Sequence, residues 1–213
     1  MTDWLINLDH SITLGLNGMH TPFWNEVMLF LSAKTVWIPL YAAIAILFFV
    51  PRWYGEKSQA LISGSRIPLW LTGLIGVLAV LLCFGLTEQV TNIVKNIIER
   101  PRPGNEPLLQ GLLLSLPEGA GGGYGFFSAH ASNTFGMAVL TALIFRRKWY
   151  SVFIVLWAAS VSFSRIYLAK HFTTDVLCGA VAGILIGLAV YYLYKYILSL
   201  ISRKYTRTDD LHS

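Results

Sequence analysis

Long apolar runs, interrupted by very few charged residues, constrain the fold of this chain more than any other feature of its sequence. Five runs approach the roughly 20 apolar residues that a helix needs to cross a bilayer core. They cover approximately residues 36–50, 69–86 with a polar extension to about 99, 129–145, 149–168 and 175–200. Hydrophobic residues make up 55% of the 213 residues and charged residues only 13%. These values exclude an ordinary soluble domain and predict an all-α, polytopic membrane helix bundle.

The first 33 residues differ from the spanning runs and are predicted to form interfacial helices. Apolar residues at helical spacing would line one side of a first helix: Trp4, Leu5, Leu8, Ile12 and Leu16. Polar residues would lie elsewhere on that helix: Asp3, Asn7, His10 and Asn17. The stretch lacks the features of a signal peptide. Because the run at 36–50 is short, residues 22–33 could add a partial crossing, which gives five to six membrane helices in one domain covering residues 1–213.

The distribution of lysine and arginine predicts the orientation of the bundle. If five helices alternate, one side receives ten of these residues: Arg52, Lys57, Arg66, Arg146, Arg147, Lys148, Lys195, Arg203, Lys204 and Arg207. The other side receives six: Lys34, Lys95, Arg100, Arg102, Arg165 and Lys170. The first side is therefore expected to be cytoplasmic. The net charge of +5 is explained by this topology and by attraction to anionic lipid head groups. A nucleic-acid partner is not expected, because the sequence has no soluble basic domain that would bind one.

Three polar clusters stand out against this apolar background. "KNIIERPRP" contains Lys95 and Arg102 at the end of the second run. "FFSAHASN" opens the third run, with Ser128 as a candidate N-cap followed by Ala129 and His130, so that free backbone N–H groups would point at an anion. "SRIYLAKHFTTD" joins the fourth run to the fifth and contains Arg165, His171 and Asp175. Alternating helices would bring all three clusters to one side of the membrane.

The residue types in these clusters match the needs of phosphoryl transfer. Cations and N–H donors can neutralise the charge that spreads over the phosphate oxygens in the transition state. A neutral histidine can attack phosphorus if a carboxylate holds the proton on its other nitrogen, and Asp175 lies four residues after His171. His130 could then protonate the leaving group as a general acid.

The same clusters resemble the three signature motifs of the type-2 phosphatidic acid phosphatase and vanadium haloperoxidase superfamily. They match K-x6-R-P, a degenerate P-S-G-H and S-R-x5-H-x3-D between residues 95 and 175. The resemblance implies His171 as the phosphorylated nucleophile, Asp175 as its partner and His130 as the acid. It also implies a phosphate pocket, without a metal or other cofactor, formed by Lys95, Arg102, Ser128, Ala129 and Arg165. In the second motif Phe127 replaces a proline and Ala129 replaces a glycine.

The segment between the first two motifs is apolar for a loop outside the bilayer. Its leucines are expected either to dip into the head-group region as a lid or to pack on the helices: Leu108, Leu109, Leu112, Leu113, Leu114 and Leu116.

The sequence thus predicts a lipid phosphatase of the inner membrane whose active site faces the periplasm or exterior. Undecaprenyl diphosphate is the first choice of substrate, and phosphatidylglycerophosphate, phosphatidic acid or a lipid A phosphate remain open. A non-enzymatic anion channel or lipid-binding protein could use the same cations. That alternative would not need the pairing of His171 with Asp175 opposite His130. A haloperoxidase is disfavoured because the peroxidases of the family are soluble.

Overall fold

The computed structural model describes residues 3–54, 67–114 and 117–209, with side chains up to residue 203. In these ranges the chain is helical and contains no strand, as the sequence predicts. The α-helices are α1 Asp3–Gly18, α2 Pro22–Ser32, α3 Ile38–Leu47, α4 Leu69–Ile98, α5 Ala129–Phe145, α6 Lys148–Tyr167 and α7 Thr173–Asp209. Lys57, Arg66 and Leu116, used in the sequence analysis, lie outside the described residues.

The membrane-spanning helices largely coincide with the predicted runs. In the described part of the chain, α4, α6 and α7 are each long and apolar enough to cross a bilayer. A fourth crossing results if α2 and α3, which meet at a 60° bend, form one broken span. With 17 residues, α5 is shorter than these spans. The predicted count of five to six is therefore reached only if α5 and the bent pair are included.

Small residues bring α5 and α7 into close contact at the centre of the bundle. A Cβ atom on Gly183 would lie 2.2 Å from the backbone oxygen of Ser132. A Cβ on Gly179 or Gly187, one turn away on either side, would lie 2.6 Å from the backbone oxygen of Ser128 or Gly136. Such a stripe of small residues lets membrane helices approach without a hydrophobic driving force. The contact fixes the position of the start of α5 against the start of α7.

The largest buried apolar cluster packs α3 against α5 and α6. Phe48 and Phe145, whose ring centroids are 4.8 Å apart, are both fully buried in it. Trp157 contributes from α6 and lies edge-on to Trp37 at 5.4 Å. Large apolar side chains elsewhere on the long helices, such as Leu81 on α4 and Leu185 on α7, face outward. Outward apolar faces suit a bundle surrounded by lipid.

Helix α1 packs on the bundle through its polar side, which leaves part of the predicted apolar side exposed. Its most buried side chains are polar, namely Asp9, Thr13 and Asn17, whereas Trp4 and Leu8 are exposed. Asn17, which the sequence analysis placed away from the apolar side, is buried, and its side chain accepts a hydrogen bond from the N–H of Leu114. The reason is that this helix packs on the polar end of the bundle, where hydrogen-bonding partners are present.

The segment between α4 and α5 folds over the same end of the bundle. Glu99 ends α4 in the left-handed conformation, and Pro101 and Pro103 prevent the helix from continuing. In the loop that follows, Leu109 is buried while Leu108 is exposed. Leu112 and Leu114 are exposed as well. Packing therefore accounts for Leu109, whereas Leu108, Leu112 and Leu114 present an apolar surface.

Candidate active site

Backbone hydrogen bonds join the three sequence clusters at one end of the bundle. The N–H of Ser128 donates to the carbonyl oxygen of Asp175 at 3.0 Å. The N–H of Gly125 donates to the carbonyl oxygen of Arg100 at 2.7 Å. The turn after α6 is closed by the N–H of His171, which donates to the carbonyl oxygen of Arg165. Segments that are distant in sequence therefore form one compact site.

His171 and Asp175 face each other inside this site, and both are almost completely buried. Nδ1 of His171 lies 3.6 Å from Oδ2 of Asp175, which is longer than a normal hydrogen bond. This nitrogen has no hydrogen-bond partner among the described residues. Burial lowers the pKa of His171 to about 4, and Arg102 and Arg165 act in the same direction, while Asp175 opposes them. The ring is therefore neutral at pH 7.

His130 lies in the first turn of α5, close enough to His171 and Arg165 for electrostatic interaction with them. Its ring lines a cavity together with Ser32, at the bend between α2 and α3. Ser128 forms the predicted N-cap of α5, because its hydroxyl oxygen accepts a hydrogen bond from the N–H of Ala131 at 3.5 Å. Its hydroxyl proton remains able to donate. Ala129, the first helical residue, follows with its backbone N–H in the first turn, where anions are stabilised.

Cationic side chains surround the two histidines. Arg165 is buried and contacts the hydroxyl of Ser32. Arg102 donates to the carbonyl oxygen of Lys170 at 3.4 Å. Lys95, on the last turn of α4, lies close enough to Arg102 to interact with its charge. The structure thus brings together every residue that the sequence analysis assigned to the site.

Two neighbouring cations hold a carboxylate that the sequence analysis did not consider. Oε2 of Glu118 lies 3.5 Å from Nζ of Lys170 and 3.6 Å from Nη1 of Arg165. Lys170 also donates to the backbone oxygens of Glu118 and Gly119, at 2.9 Å each. The loop before α5 therefore places a negative charge against part of the predicted phosphate pocket.

Other residues of the site were missed because they come from distant or non-helical segments. Arg100 pairs with Asp175 and with Asp9 of α1. Lys34, at the bend between α2 and α3, lines the same cavity as His130. Arg100 lies within the first motif and could have been suspected. The sequence carries no signal for Asp9 or Lys34, whose partners are far along the chain.

An apolar cavity extends from this polar site into the bundle. A cavity of about 270 Å³ is lined by His130, Lys34 and Ser32 together with Phe84 and Tyr41. A second cavity of about 290 Å³ shares Phe84 and Tyr41 with the first. The other residues of the second cavity are mostly apolar: Ile44, Ala45, Phe48, Val77, Val80, Leu81, Asn133, Thr134, Met137 and Trp157. Pockets of this size and character bind apolar ligands that carry a polar end.

The described residues contain no group of three or more histidine, cysteine, aspartate or glutamate side chains arranged to hold a metal ion. Divalent ions are usually bound by such groups. In the described part of the site, the residues available to an anion are instead arginines, lysines and N–H donors.

Comparisons with known proteins agree on one family. The family model described as "PAP2 superfamily" matches residues 76–199. A lipid A 4′-phosphatase of Bacteroides thetaiotaomicron is 33% identical over 91% of this chain and 80% of its own length. Phosphatidylglycerophosphatase B of Bacillus subtilis is 26% identical over 91% of this chain and 85% of its own length.

A solved structure also resembles the fold. The crystal structure of a transmembrane PAP2-type phosphatidylglycerolphosphate phosphatase from Bacillus subtilis matches with a TM-score of 0.67. The match covers 92% of this chain and 89% of that chain at 24% identity. At 24% identity this similarity supports the helical architecture alone and carries no conclusion about the residues of the site.

Proposed function

The chain belongs to the PAP2 superfamily and is a membrane lipid phosphatase, and from that premise we propose that it removes the 4′-phosphate of a lipid A-type glycolipid through a phosphohistidine intermediate. The whole chain would act as a single catalytic domain. Membership of this family confirms the prediction that the protein is an enzyme and disfavours the alternative of a non-enzymatic channel or lipid-binding protein. The observation that carries the proposal is the buried pair of His171 and Asp175, which shares a site with His130 next to an apolar cavity.

In the first step, His171 attacks phosphorus. Because Nδ1 faces Asp175, Nε2 is the nitrogen whose lone pair forms the new P–N bond. The P–O bond to the glycolipid breaks, and its electron pair leaves with the sugar oxygen. That oxygen takes a proton from the ring of His130, which the negative charge of the bound phosphate keeps protonated. Asp175 stabilises the positive charge that develops on His171.

In the second step, water releases the phosphate. Its oxygen forms a bond to phosphorus, the P–N bond breaks, and the electron pair returns to Nε2 of His171. The water proton goes to His130, which restores the acid for the next cycle. Inorganic phosphate then leaves.

The pocket holds the phosphate through charge and backbone donors. Arg165 and Arg102 can each present two N–H groups to phosphate oxygens, and Lys95 adds a third cation. Ser128 can donate through its hydroxyl and Ala129 through its N–H at the start of α5. Three cations fulfil the role that a divalent ion plays in other phosphatases, so we expect activity to survive treatment with a chelator.

The choice of substrate rests on relatives and on the cavity beside His130. Lipid A 4′-phosphatases of Bacteroides thetaiotaomicron and Porphyromonas gingivalis are 33% and 31% identical over 91% of this chain. The comparisons give no particular support to undecaprenyl diphosphate, the first choice from sequence. The apolar cavity can accept part of a lipid tail while the phosphate lies between the cations.

The place of the reaction follows from the expected topology. The site lies on the side that is poor in lysine and arginine, opposite Arg146, Arg147 and Lys148. Under the positive-inside rule this side faces away from the cytoplasm. We therefore place the enzyme in the inner membrane with the site open to the periplasm or exterior.

Purified enzyme in detergent and in liposomes should be tested on a panel of lipid phosphates. The panel should contain lipid A, phosphatidylglycerophosphate, phosphatidic acid and undecaprenyl diphosphate, with phosphate release as the measurement and His171→Ala as the control. We expect the highest kcat/KM on lipid A, with loss of the 4′-phosphate shown by mass spectrometry. Phosphate release that persists in His171→Ala would contradict the mechanism. A clear preference for another lipid would overturn the choice of substrate alone.

Phosphatidylglycerophosphate is the second candidate. The similarity to phosphatidylglycerophosphatase B covers 91% of this chain. In the panel, preferential hydrolysis of this lipid over lipid A would favour this candidate.

A further inference from the structure

Helix α1 directs a buried carboxylate towards the active site. Asp9 is 1% exposed, although it belongs to a helix at the edge of the bundle. A buried carboxylate is costly unless it is paired and hydrogen-bonded. Oδ2 of Asp9 accepts a hydrogen bond from Nη2 of Arg100 at 2.8 Å. Oδ1 accepts one from the N–H of Thr174 at 3.0 Å, in the first turn of α7.

Arg100 connects this carboxylate to the one beside the nucleophile. Its Nη1 donates to Oδ1 of Asp175 and to the hydroxyl of Thr174, at 2.7 Å each. Its guanidinium carbon lies 4.2 Å from the centre of the Phe172 ring, which restricts its plane. One planar guanidinium thus bridges Asp9 and Asp175, a geometry that lysine cannot reproduce.

Both oxygens of Asp175 are constrained by these contacts. Oδ1 receives Arg100, and Oδ2 accepts the N–H of Phe172 at 3.0 Å. Oδ2 is also the oxygen that faces Nδ1 of His171. The orientation of Asp175 towards His171 therefore depends on Arg100, and the position of Arg100 depends on Asp9.

We propose that Asp9 and Arg100 are positioning residues for the phosphatase reaction, which hold Asp175 in the orientation and charge state that His171 requires. This inference rests on the proposed phosphohistidine mechanism. At formal charges the two carboxylates and one guanidinium sum to −1. The positive charge of Arg100 is therefore divided between Asp9 and Asp175 and does not fully neutralise Asp175. The remaining negative charge on Asp175 can stabilise His171 when its ring is bonded to phosphorus.

The test is a set of variants of the full-length enzyme, measured by kcat, KM and phosphohistidine formation in rapid-quench experiments. Asp9→Asn removes the charge but keeps the size of the side chain. We expect kcat and the rate of phosphohistidine formation to fall by about tenfold, as for other partners of a functional side chain. KM should change little, since Asp9 does not reach the phosphate. Thr13→Val is the matched control, because Thr13 is buried on the same face of α1, one turn away.

A double-mutant cycle separates positioning from simple attachment of α1. In an Asp175→Asn background, Asp9→Asn should cause no further loss of kcat if it acts through Asp175. An equal additional loss in that background would overturn the inference, as would a similar loss in Thr13→Val. If Asp9→Asn does not fold, Arg100→Lys provides the same cycle, and additive loss there would also overturn it.

The failure of this inference differs from the failure of the proposed function. Wild-type enzyme that forms phosphohistidine, together with an Asp9→Asn variant of unchanged kcat, would overturn only the positioning role. Wild-type enzyme without phosphohistidine would overturn the mechanism on which that role rests.

Discussion

Nδ1 of His171 lies 3.6 Å from Oδ2 of Asp175, in a site where both side chains are buried. The pair is aligned but does not form a hydrogen bond of normal length. Contacts at catalytic sites often tighten only when the substrate binds. A shift of a few tenths of an ångström would complete this contact as positive charge develops on the ring.

The first prediction concerns this pair. Asp175→Asn should lower kcat by about 10³- to 10⁴-fold with every substrate, because the ring of His171 loses the carboxylate that sets its tautomer. His171→Ala should abolish both turnover and the covalent intermediate. Rapid quench with a labelled phosphate substrate measures both effects. The label should be stable to base and labile to acid, so a base-labile label would contradict attachment to histidine.

The second prediction separates the role of His130 from that of His171. His130→Ala should slow the reaction of a lipid phosphate by about a hundredfold or more, since a general acid is lost. A nitrophenyl phosphate should be affected much less, because its leaving group needs no proton. The measurement is kcat on both substrates in both enzymes. Equal losses on the two substrates would refute the assignment of His130 as the acid.

The third prediction concerns pH. His171 must be neutral to attack. Burial lowers its pKa to about 4; Asp175 raises this pKa, whereas Arg102 and Arg165 lower it further. The rate of phosphohistidine formation from nitrophenyl phosphate should therefore persist as pH falls from 7 to 5 and decline near pH 4. Removing Asp175 should move this decline to lower pH, since the carboxylate raises the pKa. A decline centred between pH 6 and 7 would contradict the burial effect.

The fourth prediction concerns the carboxylate in the pocket. Glu118 lies near Lys170 and Arg165, where it competes with phosphate for the same charges. Glu118→Gln should lower the inhibition constant of inorganic phosphate by about two- to fivefold, in line with one partly exposed ion pair. Glu106→Gln, on the same loop, serves as the control. Weaker inhibition by phosphate in Glu118→Gln would instead indicate that this loop helps to hold the anion.

The fifth prediction tests the contact between α5 and α7. A Cβ on Gly183 would overlap the backbone of Ser132, and backbone cannot move aside as a flexible side chain can. Gly183→Ala should destabilise the protein by about 1–3 kcal/mol or more and lower kcat, because His130 and Asp175 lie on the two helices that would separate. Gly85→Ala is the control, since no atom of the described residues beyond its chain neighbours and its own helix backbone lies within 4 Å of the position of its Cβ. Thermal unfolding in detergent and phosphate release measure the two effects, and equal stability of both variants would refute the prediction.

Local patterns in the sequence determined the membrane helices and most of the site. A helix from residue 129 to 145 follows from its apolar run, and Ser128 was identifiable as its N-cap because capping depends on residues within one turn. His171 and Asp175 are separated by four residues, so their proximity was also a local property. Alternation of helices across the membrane was enough to place these residues with Lys95 and Arg102 at one end.

The tertiary structure decided which distant segments complete that site. Asp9 and Arg100 are 91 positions apart, and their pairing depends on the packing of α1 against the start of α7. Three other features also depend on how whole helices fit together. They are the bend at Ser32, the position of Glu118 among the cations and the close approach of α5 and α7 at Gly183. Periodicity and spacing report which face of a helix is apolar and which neighbours lie within a turn. They do not specify which partner covers a polar face, because that choice depends on shape, hydrogen bonding and charge across segments that the sequence separates.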